Sequence, residues 1–247
     1  MTESSRPRGV YGIDAPWVPW LWVFFFVLYG TFAIVAPLAW HVWWWVVALL
    51  VVGTVVFAAG AALYWYASLR GKFALWQRLL DAVELPQGAT ALDLGCGRGM
   101  VSIMTALHFP TATVVGIDLW RSVDQSGNSP DAAETNARLN GVDDRVRFDT
   151  GDMSHLPYPA GSFDLVTASL AIHNIPSRTG RRSAITEAVR VLAPGGRILI
   201  ADIGRTPEYA EDLRSAGLTV AASNLGWRGW WSGPWLSTTC ITAERPR

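Results

Sequence analysis

Between Ala15 and Leu69 the chain carries not one Asp, Glu, Lys or Arg. A helix crosses the hydrocarbon core of a bilayer with about 20 predominantly apolar residues. The run is therefore long enough for two crossings, placed at Val18–Ala36 and Val42–Trp65 with Pro37 and His41 in the turn. Trp17, Trp20 and Trp22 mark one end, Trp40, Trp43, Trp44 and Trp45 the turn, and Tyr64, Trp65 and Tyr66 the far end. Clusters at those places match the aromatic belts of membrane interfaces. Arg6 and Arg8 precede the first span, Arg70, Lys72 and Arg78 follow the second, and the turn has no fixed charge. The positive-inside bias puts both termini in the cytoplasm, the hairpin spanning the inner (cell) membrane. A cleaved signal peptide has one short apolar stretch, and this one is long and doubled. A buried soluble hairpin would have to cover many adjacent tryptophans. Gly53, Ala58, Ala59, Gly60, Ala61 and Ala62 permit close helix packing, within the hairpin or in a homo-oligomer.

From residue 70 onward the composition is that of a soluble protein, long enough for one domain with a sizeable core. Net charge is zero and no long basic run appears, so nucleic acid is not an expected partner. Cys96 and Cys240 suggest neither a disulfide framework nor a zinc site, and no metal-ligand cluster is found. Behind a polar tail (residues 1–16) and the hairpin (17–66), a linker helix is expected over Ala67–Leu85, stopped by Pro86 and Gly88. The domain would then occupy residues 89–247. Strands are expected at Ala91–Leu94, Ala112–Ile117, Val146–Thr150, Phe163–Leu170 and Arg197–Asp202. Helices are expected near Gly99–Leu107, Pro130–Leu139, Gly180–Leu192 and Pro207–Ala216, with last strands near Leu218–Ser223 and Leu236–Ala243. Such alternation predicts an α/β, doubly wound parallel sheet with right-handed crossovers.

The first of these strands ends at Asp93 and breaks into a turn with Gly95, Cys96, Gly97 and Gly99. A strand, a glycine turn and a helix hold adenosine-containing cofactors at the carboxyl ends of α/β strands. The companions matter more than the turn. Gly116-Ile117-Asp118 ends the second strand, where a carboxylate can accept hydrogen bonds from both ribose hydroxyls. Gly151-Asp152-Met153 ends the third, the fourth runs through Ser169 into Ala171-Ile172-His173-Asn174, and Pro194-Gly195-Gly196 is read as a tight turn before the fifth.

In these five motifs, over roughly residues 89–202, the chain resembles the class I S-adenosylmethionine-dependent methyltransferases of the small-molecule "type 11" branch. The resemblance implies a Rossmann-like sheet of seven strands, the seventh antiparallel, with S-adenosylmethionine at the ends of the first two. It implies that Gly95 and Gly97 line the donor's methionine part, with Cys96 in the same turn, and that Asp93 orients its ammonium group. Asp118 and the adjacent Leu119 would meet the ribose, Gly151 and Asp152 the adenine, and Met153 would pack on the ring. Ser169 stands at the cofactor edge of the fourth strand. The stretch from Gly116 to Asn128 also looks like a subgroup of bacterial methyltransferases with an N-terminal membrane hairpin.

For the chemistry, His173 is the best candidate base, since it follows the fourth strand and can titrate near neutral pH. Asn174 would orient a polar group of the acceptor. His155, Tyr158 and Asp202 are weaker candidates, and Arg98 is read as a helix-start surface residue. Trp227, Trp230, Trp231 and Trp235 lie on the loop between the last two strands. They make either a membrane-contacting lip, an apolar pocket wall or plain core. With the hairpin they suggest a lipophilic acceptor drawn from the bilayer. Two other functions stay open here: a nicotinamide-dependent oxidoreductase, disfavoured because Met100 stands where that fingerprint needs a third glycine, and a catalytically silent membrane adaptor that binds the donor.

Overall fold

The structure, a computed structural model, describes residues 6–224, 226–231 and 233–247. Its two long apolar helices are α1 (Trp17–Ala39) and α2 (Trp44–Tyr66), of 23 residues each. At about 1.5 Å per residue each is roughly 35 Å long. Both are long and apolar enough to cross a membrane. Pro37, expected in the turn, lies inside the last turn of α1; the link is the short stretch from Trp40 to Trp43. Two of the small residues of α2, Gly53 and Gly60, are used inside the hairpin, while Ala59 and Ala62 are exposed. A methyl group on Gly53 would meet the Tyr29 ring and one on Gly60 the Trp22 indole, so those glycines let α1 come close. Phe57 stacks on Phe25 with ring centroids 5.1 Å apart. Large side chains elsewhere on the pair, among them Trp20, Phe24, Ile34, Leu38, Trp44 and Leu49, point outward and are exposed.

Helix α2 does not stop where its apolar run ends. It passes through a π-helical turn, Ala67–Gly71, into α3 (Lys72–Asp81). This is the expected linker helix, except that it ends four residues short of Leu85. The α/β part then alternates β1 (Thr90–Leu94), α4 (Met100–His108), β2 (Thr113–Asp118), α5 (Pro130–Leu139), β3 (Val146–Thr150), β4 (Phe163–Ser169) and α6 (Arg178–Val191). It finishes with β5 (Leu192–Ile203), α7 (Thr206–Ser215), β6 (Thr219–Asn224) and β7 (Thr238–Glu244). Ser129 and Ser177 cap α5 and α6, each accepting a backbone N–H three residues on.

The seven strands form one sheet in the order β3-β2-β1-β4-β5-β7-β6. Strands β1 to β5 pair in parallel, and β7 runs antiparallel to both β5 and β6. Because strand side chains alternate between faces, each buried strand feeds two cores. Leu92, Leu94, Val166, Ile198 and Ile200 pack with Ile185, Tyr209 and Leu213 of α6 and α7. Ala91, Val114, Leu165 and Leu199 pack with Trp76, Leu80 and Ile103 of α3 and α4. The largest departure from expectation in the sheet is at β5. Strand β5 starts at Leu192, because Leu192 pairs with Phe163 and the Gly195 and Gly196 backbones pair with Arg245, so Pro194-Gly195-Gly196 lies within the strand.

Reversal of strand order between β2-β1 and β4 leaves a crevice at the carboxyl ends of β1 and β4, the place where open α/β sheets bind ligands.

Candidate active site

That crevice holds a cavity of about 250 Å³. Its floor is the turn after β1. Gly95 and Gly97 take left-handed φ values of +67° and +52°, which a side chain disfavours. The Gly95 and Cys96 N–H groups both donate to the carbonyl of Ile117, which draws the turn against β2. A Cβ on Gly95 would sit 2.4 Å from Ala171 Cβ and 3.1 Å from Met153 Cε. The place a side chain would need is already taken by Ala171 and Met153, so only glycine fits the turn there. Cys96 is buried, and its sulfur lies where any side chain on Gly116 would have to go. Burial pushes its thiol well above the usual range, so it packs rather than reacts.

Three carboxylates organise this floor, and each is already engaged. Asp93 Oδ2 accepts from the Ser102 N–H at 3.0 Å and its hydroxyl at 2.7 Å, while Oδ1 accepts from Thr167 at 2.9 Å. It therefore caps α4, whose N-terminal Gly99 has no side chain to do so, and it ties that helix to β4. Burial raises its pKa to about 6. Asp118 Oδ2 accepts the Gly97 N–H at 2.8 Å, and Oδ1 accepts from the Trp120 N–H at 2.6 Å and Asn128 at 3.2 Å. Asp152 Oδ1 accepts from the Ser154 N–H and hydroxyl; that backbone bond holds its carboxyl below the ordinary value.

Of the residues singled out in the sequence, Asp93, Gly95, Cys96, Gly97, Asp118, Leu119, Gly151, Asp152, Met153, Ser169 and Asn174 all line the cavity. His173 does not; it stands beside it. Its Nδ1 lies 2.5 Å from Asp202 Oδ1, and its backbone N–H donates to Asp202 Oδ2 at 3.1 Å. A carboxylate can only accept, so Nδ1 carries the proton and Nε2 keeps a lone pair. Burial works against the charged ring, but the bond to Asp202 and the nearby carboxylates of Asp124 and Asp14 outweigh it, and the pKa rises. His155 and Tyr158 lie outside the cavity, Tyr158 bonded to Asp149. Arg98 bonds Ser126 rather than facing the cleft.

The tryptophan loop divides. Trp231 is core: it is buried, bonds Thr238 through its indole N–H, and meets the Tyr64 ring edge-on at 5.3 Å. Trp227 stacks on Tyr66 at 5.2 Å and, like Trp235, keeps an exposed face. Trp230 is half-buried and pairs with Ser237. None of these four lines the cavity, so the loop packs on the base of the hairpin and is not a wall of the cleft.

The sequence reading missed the segment before α1. Residues 6–16 lie along the domain as a strap. Val10 and Arg8 bond Asn136 and Asn140, Ile13 pairs with Ser126, and Tyr11 is buried against Phe73. The strap delivers Asp14 into the cleft, where it meets Lys72 from the first turn of α3 at 2.8 Å. Trp76, one turn further on, donates from its indole to Ser169 at 2.8 Å. A lone acid just before a charge-free run, and a lysine just after it, are the only signals the sequence carried; Lys72 counts among the flanking charges and Asp14 falls within the polar tail. Among the described residues three non-glycines take positive φ, Ala15 (39°), Trp120 (59°) and Leu170 (51°); Leu170 lines the cavity and the other two adjoin the lining residues Asp14 and Leu119, and strain of this kind gathers at functional sites.

Comparison with known proteins agrees with this geometry. Over residues 92–200 the chain matches the family described as "Methyltransferase domain". It is 36% identical over 154 residues to the 27-O-demethylrifamycin SV methyltransferase of Amycolatopsis mediterranei, covering 60% of this chain and 53% of that protein. It is 31% identical over 139 residues to the ubiquinone/menaquinone biosynthesis C-methyltransferase UbiE of Cereibacter sphaeroides, covering 56% of this chain and 52% of the other. The chain thus spans about half the length of the curated relatives it matches. Among solved structures, the [4+2]-cyclase SpnF superposes with a TM-score of 0.60 at 21% identity, over 70% of this chain and 81% of that one. A geranyl diphosphate methyltransferase in complex with GPP and sinefungin gives 0.57 at 18%, over 70% and 78%. These two likenesses show the shared fold.

The family's donor is S-adenosylmethionine, and the residues present suit it. Gly95 and Gly97 present bare backbone to the cavity, where a thioether chain would lie, and Asp118 stands at the strand end where a ribose would be held. Met153 and Leu119 offer apolar surface to a purine.

Proposed function

We propose that the protein is a membrane-anchored methyltransferase acting on a lipophilic acceptor that it takes from the bilayer at the cytoplasmic face. The observation that carries this reading is the continuity of α2, the π-turn and α3. The same helix that would leave the membrane at Tyr66 supplies Lys72 to the cleft wall six residues later, roughly 9 Å along the axis. An acceptor anchored in lipid need not leave the interface to reach the donor. By their names, the relatives act on demethylrifamycin and in quinone biosynthesis, chemistry that fits a bulky, apolar acceptor. Exposed aromatic faces at Trp227 and Trp235, beside the end of α2, suit the interfacial zone.

S-adenosylmethionine, when bound, supplies a sulfonium methyl carbon open to a single in-line displacement. The chain's own task is alignment, which can supply several kcal/mol of the barrier, and, for a hydroxyl acceptor, removal of one proton. His173 Nε2 takes that proton, while Asp202 fixes the tautomer and stabilises the imidazolium. Asn174, at the cleft edge, orients the acceptor.

Membranes containing the protein, incubated with methyl-labelled donor, should transfer label to the lipid-extractable fraction. A Trp227→Ser/Trp235→Ser double variant should lower that transfer about tenfold and leave donor affinity unchanged. Label confined to water-soluble products would overturn the lipophilic acceptor.

The base makes its own prediction. Only neutral His173 can accept a proton, and its pKa is raised above 6.5, so kcat should climb with pH through a midpoint above that value. Removing the Asp202 charge in Asp202→Asn should move the midpoint down. His173→Ala should cost on the order of 10²–10⁴ in kcat, with little change in donor binding. A flat pH profile in both proteins would rule out the histidine.

A further inference from the structure

We propose that Lys72 and Asp14 form a clamp for the amino-acid end of the donor, Lys72 taking its α-carboxylate and Asp14 its α-ammonium. S-adenosylmethionine ends in a zwitterion, so its site needs a cation as well as an anion. Among the described residues the cavity is lined by five carboxylates, Asp14, Asp93, Asp118, Asp124 and Asp152, and by two cations, Lys72 and Arg121. Arg121 is exposed and follows Asp118 by three residues, on the nucleoside side, where its charge acts on Asp124 and Asp152. Lys72 lies on the opposite side. Its side chain is only 4% exposed, and it also lines a second, small cavity with Ser169 and Leu170 at the end of β4.

A lysine this buried sacrifices hydration, and a well-packed apolar residue would often serve stability as well. Its ammonium has three donors, and among the described residues its hydrogen-bond acceptor is Asp14 Oδ2 at 2.8 Å; the Phe73 ring lies beyond, at 5.9 Å. Asp14 is held in turn. The Ser68 hydroxyl, from the π-turn, donates to Oδ2 at 3.2 Å, and Gln125 Nε2 donates to Oδ1 at 3.2 Å. Gln125 Oε1 meanwhile accepts the Arg98 N–H at 2.9 Å, inside the glycine turn, and sits where a side chain on Gly97 would go. One polar chain thus runs from the π-turn through Asp14 and Gln125 to the floor under the donor's methionine part. Among the described residues the Lys72 ammonium gives one of its three hydrogens, to Asp14, and Asp14 Oδ1 takes one side-chain donor, Gln125. Since Asp14 belongs to the strap that opens α1, filling the clamp also ties the hairpin to the domain.

Calorimetry on the full chain in lipid nanodiscs separates the possibilities. S-adenosylhomocysteine carries the amino-acid tail, 5′-methylthioadenosine lacks it, and S-adenosyl-3-thiopropylamine lacks only the carboxylate. Lys72→Met should weaken S-adenosylhomocysteine about 30-fold and leave methylthioadenosine within twofold, with Lys72→Arg recovering most of the loss. Asp14→Asn should weaken S-adenosylhomocysteine about tenfold and methylthioadenosine not at all. Wild-type protein, whose folding is not in question, should bind the decarboxylated analogue about 30-fold more weakly than S-adenosylhomocysteine. Equal affinity there would overturn the clamp. So would a Lys72→Met protein that binds S-adenosylhomocysteine normally but has lost turnover, which would assign the lysine to the acceptor. A wild type that bound neither nucleoside would remove the donor site itself, and the clamp with it.

Discussion

Gly95→Ala should lose S-adenosylhomocysteine binding by 100-fold or more while the sheet stays folded. Two costs meet at this position. Its φ of +67° charges any L-residue roughly 1–2 kcal/mol. The new methyl would also lie 2.4 Å from Ala171 Cβ and 3.1 Å from Met153 Cε, so it pushes the segment after β4 aside and reshapes the cavity floor. Gly88→Ala is the matched control, because Gly88 has a φ of +72° with nothing within 4 Å of an added methyl. Both variants should lose about 1–2 kcal/mol of stability to backbone strain, Gly95→Ala more through its collision with Ala171, and only Gly95→Ala should lose the ligand. Titration of each against S-adenosylhomocysteine decides it. Near-wild-type affinity in Gly95→Ala would mean the donor does not rest on this turn.

What the chain disclosed in advance follows from the range over which each signal acts. The glycine turn, the acids at strand ends and the strand–helix alternation are encoded within a few residues of one another, and β1, β2, β3 and β4 lie within one residue of where periodicity put them. Strand β5 began early because pairing with Phe163, nearly thirty residues upstream, overrode the turn propensity of Pro194-Gly195-Gly196. The strap was illegible for a related reason. Asp14 owes its place to Ser68, Lys72 and Gln125, at separations of 54 to 111 residues, and nothing local marks it as more than a polar tail. The π-turn leaves no compositional trace, yet it sets the rotation between α2 and α3 and so decides that Ser68 and Lys72 face the same carboxylate. His173 could be singled out by its place after β4; that Asp202 holds it was visible only as a second acid at the end of β5. The tryptophans show the limit of composition: Trp231 and Trp235 look alike in sequence, and only packing on Tyr64 makes one of them core.

Trp76→Ala should be the most destabilising single substitution in the domain, because one side chain serves two structures at once. The indole is fully buried in the core formed with Leu80, Ile103 and Leu199, and truncating such a ring costs about 3–5 kcal/mol. It also removes the donor to Ser169 Oγ at 2.8 Å, which leaves a hydroxyl at the cleft edge without its partner, worth about 1 kcal/mol more. Trp76→Phe and Ser169→Ala divide these effects: the first keeps most of the volume, the second all of it, and each should lose only about 1 kcal/mol. Denaturant unfolding of the three variants measures the split, and a Trp76→Ala protein within about 1 kcal/mol of wild type would contradict the packing described. The functional consequence follows from α2 and α3 being one continuous helix. Trp76 is the point at which that helix is bolted to β4, so its loss should loosen the hairpin's hold on the cleft mouth. If the function proposed above holds, turnover should therefore fall further than the affinity for S-adenosylhomocysteine, whereas Gly95→Ala should remove both together.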